Sequence, residues 1–281
     1  MILSGKAKLA GVIGWPVSHS KSPRLHGYWL EKHTIDGAYV PLAVKPDDLH
    51  AVVRGLVKAG FRGVNITVPH KENVMAVCDQ ISEQARRIGA VNTLVFHEDG
   101  SVHGMNTDGY GFLENLKQGP KSWHANSGPA VVLGAGGAAR AVCAALLEAG
   151  APEIHLLNRT VEKAEQVAKD LGSTVNVHSL TESAKWLPGA ALLVNTTTLG
   201  MNGAEPLHLD LSPLAQTAVV TDIVYAPLET DLLKAAKARG NPTVDGLGML
   251  LHQARPGFEA WFGVKPEVTP ELRAFVLAEA P

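Results

Sequence analysis

Apolar and polar positions along the chain switch repeatedly between two periods. Leu9 to Ile13, Ala38 to Val44 and Val64 to Val68 are short apolar runs bounded by turn residues, the length and composition of strands. Between the last two, Leu49, Val52, Val53, Leu56 and Val57 recur at helical spacing, which predicts an amphipathic helix opened by Asp47 or Asp48 and closed at Gly60. Ser22-Pro23 predicts another helix start, with Leu25, Tyr28 and Trp29 on one face. Ala90 to Phe96 and Ser101 to Met105 flank Asp99-Gly100 and form an expected hairpin. A helix then starts at Thr107 or Asp108.

Gln118 to Pro129 has no periodicity and collects Gly, Pro, Ser and Asn, so it is expected to be a connector. Beyond it the alternation resumes. Strands are expected at Ala130 to Leu133, Glu153 to Leu157, Thr174 to Val177, Ala191 to Val194 and Val219 to Ile223, with a helix over Val161 to Leu171. Such alternation implies a doubly wound parallel sheet. Gly248 to Ala254 and Pro270 to Ala280 are expected helices that could cap either domain.

The pattern Gly134-Ala135-Gly136-Gly137-Ala138-Ala139 joins one of these strands to a helix running to Gly150. Gly134 permits a sharp turn, Gly136 close approach of the backbone to a pyrophosphate, and Ala139 tight packing of helix on strand; the helix N-terminus supplies N–H groups. The next strand ends in Asn158-Arg159-Thr160, where an acidic residue would select the free ribose 2′-hydroxyl of NAD. Arg159 can fork onto a 2′-phosphate, Thr160 can offer a hydroxyl and cap the following helix, and Lys163 lies one turn on. NADP is therefore expected over NAD.

A hydride carrier needs a separate acid or base. Asn65 and Thr67 share a strand face, and Lys71 follows just past the strand end; Asp108 opens a helix beside Gly109. Lys71 could equally be a surface lysine opening a helix, and Asp108 an N-cap. Ser18-His19-Ser20-Lys21-Ser22 is either a plain cap or an anion-binding loop.

The 281 residues suffice for two domains, and 46% hydrophobic with 19% charged residues is a globular composition. A formal net charge of -2 gives no pull towards nucleic acid or an anionic membrane. Cys78 and Cys143 are expected to be buried and reduced. No cationic leader with a long apolar segment, no stretch of membrane-spanning length and no metal-ligand spacing is visible, so a soluble cytoplasmic protein without a metal is expected.

Taken together, Gly14-Trp15-Pro16 with Ser18 to Pro23, Asn65 to Lys71, Gly89 to Thr93, Asn106 to Gly109, Gly134 to Arg140, Asn158 to Thr160, Asn195 to Gly200 and Asp245 to Gln253 resemble the shikimate dehydrogenase family, in order over nearly the whole chain. The resemblance implies an α/β fold in which an N-terminal substrate domain (1–106 and 247–281) is interrupted by a Rossmann-type NADP domain (107–246), with a cleft between them. It implies NADPH-dependent reduction of 3-dehydroshikimate to shikimate, with Lys71 and Asp108 catalytic. Ser20 and Ser22 would hold the substrate carboxylate, and Asn65, Thr67, Asn92, Asp108 and Gln253 its hydroxyls, with Tyr225 close by.

The implied cofactor positions are Gly134, Ala135, Gly136, Gly137, Ala138, Asn158, Arg159, Thr160, Lys163, Ile223 and Gly246, with Glu83 as a further contact. Ala254-Arg255-Pro256 departs from the family pattern, and the proline is expected to shift the helix carrying Gln253. Quinate is the alternative substrate; relatives that favour it often carry threonine where this chain has Ser22. A redox-silent NADP-binding regulator is the alternative of another class. The small-molecule substrate is the expected partner, with the protein a monomer or homodimer.

Overall fold

The computed structural model describes residues 2–121 and 123–278. It divides into two compact units, one built from the chain up to Thr107 and from Leu251 onward, the other from Asp108 to Leu250.

The first unit begins β1 (Lys8–Gly14), α1 (Ser22–Lys32), β2 (Gly37–Ala43), α2 (Leu49–Lys58), β3 (Gly63–Ile66), β4 (Gln80–Ile81), α3 (Glu83–Ile88), β5 (Thr93–Phe96) and β6 (Val102–Met105). Its six strands lie in the order β2-β1-β3-β5-β6-β4. β1 pairs in parallel with β2 and β3, whereas β5 runs antiparallel to β3 and β6, the latter pair being the expected hairpin. One sheet face places Ile13, Val64, Ile66 and Leu94 against Leu49 and Val53 of α2.

α1 starts one residue earlier than Ser22-Pro23 implied. Lys21 is the N-cap and makes no side-chain cap, because an ammonium has no acceptor to offer; the Ser20 hydroxyl instead accepts from the Ser22 N–H at 3.3 Å. Asp48 likewise precedes α2 without capping it, since Pro46–Asp48 form a short 3-10 turn.

The second unit contains α4 (Asp108–Gln118), β7 (Ala130–Leu133), α5 (Gly137–Glu148), β8 (Ile154–Asn158), α6 (Val161–Leu171), β9 (Val175–Ser179), α7 (Ser183–Trp186), β10 (Leu192–Asn195), β11 (Val219–Asp222), α8 (Asp231–Ala238) and β12 (Thr243–Val244). All ladders are parallel. The order β9-β8-β7-β10-β11-β12 is the doubly wound order 3-2-1-4-5-6, whose chain reverses direction of travel at β7 and β10. Strands buried on both faces read as continuous apolar runs, which is why β7 and β10 were recognisable. α4 crosses α5 closely, because a Cβ at Gly109 would stand 2.9 Å from the Ala141 carbonyl oxygen. Ser122 of the connector lies outside the described residues.

α9 (Leu247–Phe262) and α10 (Pro270–Leu277) follow. α9 does not stop at Ala254 but continues through Pro256. The missing proline N–H costs one helical bond, and the buried Phe258, Trp261 and Phe262 beyond it keep the last turns packed. Phe258 and Trp261 join His26 and Trp29 of α1 and Tyr39 of β2 in an aromatic cluster. Gly63 makes room for it: a Cβ there would overlap both the Trp261 indole nitrogen and the Leu94 carbonyl oxygen, the two atoms that hydrogen-bond at 2.9 Å. Of the expected helix Pro270 to Ala280, residues 279 and 280 lie outside the described residues.

Candidate active site

The glycine turn of the second unit contains two kinds of glycine. Gly134 has φ +106°, a backbone that favours glycine, and a Cβ would press on Thr196 Oγ1 at 2.8 Å and Thr197 Cγ2 at 3.0 Å. Gly136 has an ordinary extended backbone, φ −85° and ψ −175°, and a Cβ would meet no atom within 4 Å. Nothing in the polypeptide itself requires glycine there. The residue keeps open the space before Gly137 and Ala138, at the start of the twelve-residue α5, whose N-terminus has no side-chain cap. Uncapped N–H groups and positive helix potential facing unfilled space suit a pyrophosphate.

The same turn stands where the strand order reverses. Thr196 Oγ1 donates to the Leu133 carbonyl at 2.6 Å, tying the loop after β10 to the end of β7. Behind it lies a buried network that joins Asn195 and Thr197, from a segment that carries the family resemblance, to Asp222 and Thr230, which sequence reasoning did not single out. The Asn195 amide donates to Asp222 Oδ1 at 3.0 Å and accepts from the Thr197 N–H and hydroxyl, while Asp222 also accepts from Thr230 Oγ1 at 2.8 Å and the Val224 N–H at 3.0 Å. Burial pushes the Asp222 carboxyl above its ordinary value despite these donors. For Asp222 the sequence signal was a carboxylate at the end of a buried strand, after Val219, Val220 and Thr221. Just beyond it, Gly246 lies against the Ile223 backbone so closely that a Cβ would overlap the Ile223 carbonyl carbon. Two expected cofactor residues are thus brought together.

At the end of β8, Asn158 Nδ2 donates to the Thr160 carbonyl at 2.7 Å. Arg159 and Lys163 are exposed. The expected cap by Thr160 is absent. Thr230 and Thr269 cap their helices with ψ of 164° and 161°, but Thr160 has ψ 99°, which turns its hydroxyl away from the helix N–H groups. Tyr225 is half-buried in this unit, and burial raises its phenol above the ordinary value. Asp108 is buried at the first position of α4, where a carboxylate complements the helix dipole.

The other expected side chains lie in the first unit. Thr67 follows β3 and bonds through its N–H to the Ile13 carbonyl at 2.9 Å. Lys71 is half-buried in the turn after it, and its carbonyl accepts from the Val91 N–H at 2.8 Å. It opens no α-helix: a 3-10 helix, Asn73–Val77, begins two residues later. Ser20 and Ser22 are half-buried at the start of α1. Asn65 sends one amide hydrogen to the Asn92 carbonyl at 3.2 Å and the other to Thr93 Oγ1 at 3.0 Å, which leaves acceptor capacity on Oδ1. Asn92 is buried, with Oδ1 accepting from the Thr107 N–H at 2.9 Å. Gln253 lies in α9, three residues before Pro256. Glu83, expected near the cofactor, is exposed in the first turn of α3 in this unit, where the helix dipole accounts for a carboxylate. Among the described residues, no group of three or more His, Cys, Asp or Glu could hold a metal, and no helix is long and apolar enough to cross a membrane.

Three family models match the chain: the shikimate dehydrogenase substrate binding domain over residues 12–94, shikimate / quinate 5-dehydrogenase over 119–202, and the shikimate 5'-dehydrogenase C-terminal domain over 246–270. Shikimate dehydrogenase (NADP(+)) of Paramagnetospirillum magneticum is 64% identical, covering 98% of this chain and 100% of that protein. The chain belongs to the shikimate dehydrogenase family. Among solved structures, shikimate 5-dehydrogenase of Thermus thermophilus in complex with NADP(H) and shikimate matches with a TM-score of 0.85 and 37% identity, over 96% of this chain and 98% of that one. Quinate dehydrogenase from Corynebacterium glutamicum in complex with NAD matches with a TM-score of 0.90 and 31% identity, over 96% and 99%. As a shikimate dehydrogenase family member, the chain has a mixed-sheet unit and a doubly wound unit of the kinds its sequence pattern implied.

Proposed function

We propose that this protein catalyses the reversible, NADPH-dependent reduction of 3-dehydroshikimate to shikimate, in the cytoplasm, as a monomer or homodimer. The observation that carries the proposal is 64% identity, over 98% of this chain and 100% of the relative, to a shikimate dehydrogenase (NADP(+)). The open glycine turn, with Arg159 rather than a carboxylate at the end of β8, supports NADP as the cofactor. Residues 107–246 would form the NADP domain, and residues 1–106 with 247–281 the substrate domain.

When bound, the reduced cofactor supplies a hydride. The chain's own residues hold the turn and move the proton. Gly134, Ala135, Gly136, Gly137 and Ala138 would take the pyrophosphate; Asn158, Arg159, Thr160 and Lys163 the adenosine end, with Arg159 on the 2′-phosphate; Ile223 and Gly246 would border the nicotinamide end. Ser20 and Ser22 would hold the substrate carboxylate, with Thr67, Asn92, Gln253 and an Asn65 acceptor on its hydroxyls and Tyr225 nearby.

As negative charge develops on the substrate carbonyl oxygen, the Lys71 ammonium would deliver a proton to it, and Asp108 would orient the lysine and the reacting hydroxyl. Lys71→Ala is expected to lower kcat by about 10²–10⁴-fold while leaving the Kd for NADP unchanged. A loss below tenfold would demote Lys71 to binding. Following NADP reduction with shikimate tests the whole proposal. No turnover together with normal NADP binding would favour a redox-silent regulator. Serine at position 22 favours shikimate over quinate, and a higher kcat/KM for quinate would reverse that choice.

A further inference from the structure

A chain of side-chain hydrogen bonds, braced by backbone groups, runs through the first unit. It finishes on the backbone carbonyl of Gln253, which can only accept, so Thr107 Oγ1 donates to it at 2.8 Å. With that hydrogen spent, Thr107 Oγ1 must accept from Asn92 Nδ2 at 3.0 Å. The Asn92 amide is oriented by that bond and by the Thr107 N–H, which donates to Oδ1 at 2.9 Å; the Thr93 hydroxyl donates to the same oxygen at 2.9 Å. Asn65 Nδ2 donates to Thr93 Oγ1 at 3.0 Å and to the Asn92 backbone carbonyl at 3.2 Å, which turns Asn65 Oδ1 towards Tyr39; the phenol donates to it at 2.6 Å.

The strands explain how Tyr39 reaches so far. Tyr39 is in register with Ala10 on β1, and Asn65 with Val12, so both side chains rise from the same sheet face on strands either side of β1. Ala10 carries only a methyl group, over which the phenol passes. The ring is clamped by His26 of α1, stacked at 3.9 Å with an interplanar angle of 4°. Tyr39 and Thr93 are both buried, and nothing in the family resemblance gave either a role.

We propose that Tyr39 and Thr93 are positioning residues for substrate selection: with the Thr107 N–H and the Asn92 carbonyl they hold the Asn65 and Asn92 amides in one orientation, so that these offer the substrate's ring hydroxyls a fixed arrangement of donor and acceptor. The inference rests on the shikimate dehydrogenase activity proposed above. A prealigned amide loses nothing on binding the correct polyol, whereas a rotating one presents the wrong atom part of the time.

The test is steady-state kinetics on Tyr39→Phe, Thr93→Val, Thr93→Ser and the Tyr39→Phe/Thr93→Val pair, with shikimate and NADP varied separately. Tyr39→Phe keeps the ring stack. The expected result is that each of Tyr39→Phe and Thr93→Val raises KM for shikimate by about 3–10-fold, the effect of one hydrogen bond, with kcat and KM for NADP within about twofold of the wild type. Thr93→Ser, which keeps the hydroxyl, restores the wild-type KM. The double variant loses distinctly less than the product of the single losses, because both act on one chain of bonds. An unchanged KM for shikimate in Tyr39→Phe, fully multiplicative losses, or equal changes in the two KM values would each overturn the proposal. A wild type that does not oxidise shikimate would instead refute the activity and leave the variants to be judged by NADP binding alone, where any change in Kd counts against the positioning role.

Discussion

His26 predicts a pH dependence of stability that belongs to the first unit. The ring is fully buried between Tyr39, Trp29, Phe258 and Trp261, and neither nitrogen has a hydrogen-bond partner. Burial lowers its pKa from 6.5 to about 3, outweighing a raising influence of Asn65. The unfolded chain therefore binds a proton that the folded chain refuses, and stability falls as pH drops below 6.5. Complete protonation would cost about 5 kcal/mol, from 1.36 kcal/mol per pH unit of difference. At pH 5 the cost is about 2 kcal/mol relative to pH 7.5.

Urea unfolding followed by tryptophan fluorescence measures this, since Trp29 and Trp261 sit in the cluster itself. His26→Phe retains an aromatic ring and removes the titration. Its unfolding free energy should fall from pH 7.5 to pH 5 by about 2 kcal/mol less than that of the wild type. Parallel curves over that range would refute the argument, because they would mean that the buried imidazole accepts a proton without penalty.

Gly136→Ala should leave the melting temperature within about 2 °C of the wild type, because its backbone is ordinary and its surroundings are open, yet raise the Kd for NADP at least ~10-fold by filling the space before α5; isothermal titration with a thermal melt separates the two effects. Gly63→Ala should do the opposite and destabilise by at least ~3 kcal/mol or prevent soluble expression, since its Cβ collides with Trp261 and Leu94. Arg159→Ala should raise KM for NADP by about 10-fold or more while changing KM for NAD by less than about threefold, and equal changes for both cofactors would remove the 2′-phosphate from the account.

How much of this was legible in the sequence depended on the range of the interaction concerned. α6 was expected at Val161 to Leu171 and occupies those residues, because its apolar spacing is a local property. The β7 turn was readable for the same reason. β4 and β12, two residues each, carry no periodicity and exist only because β6 and β11 offer an edge. α3 was overlooked although Ser82 caps it and Gly89 closes it in the left-handed conformation, since six residues are too few to show a helical repeat.

In the site, the residue types and their order along the chain were visible, but their mutual bonding was not. Thr93 lies 28 positions from Asn65 and Thr107 lies 146 from Gln253; the β3–β5 pairing brings the first pair to 3.0 Å, and the packing of α9 brings the second to 2.8 Å. Thr160 shows the reverse error: its identity and place before a helix both argued for a cap, and a single backbone angle decided otherwise.

The interruption of the first unit by the second has a consequence during synthesis. Asp108–Leu250 is one continuous stretch with its own sheet, so it can fold as soon as it leaves the ribosome. The part translated before it cannot finish. Trp29 needs the Glu267 carbonyl, Leu94 the indole of Trp261, and Lys21 and Arg24 the carbonyls of Val276 and Phe275. The first hundred residues thus wait, with an aromatic surface uncovered, until residues 261–276 have been made. A chain stalled before α9 and α10 would carry a continuous doubly wound unit joined to a first unit that lacks the helices covering its aromatic cluster.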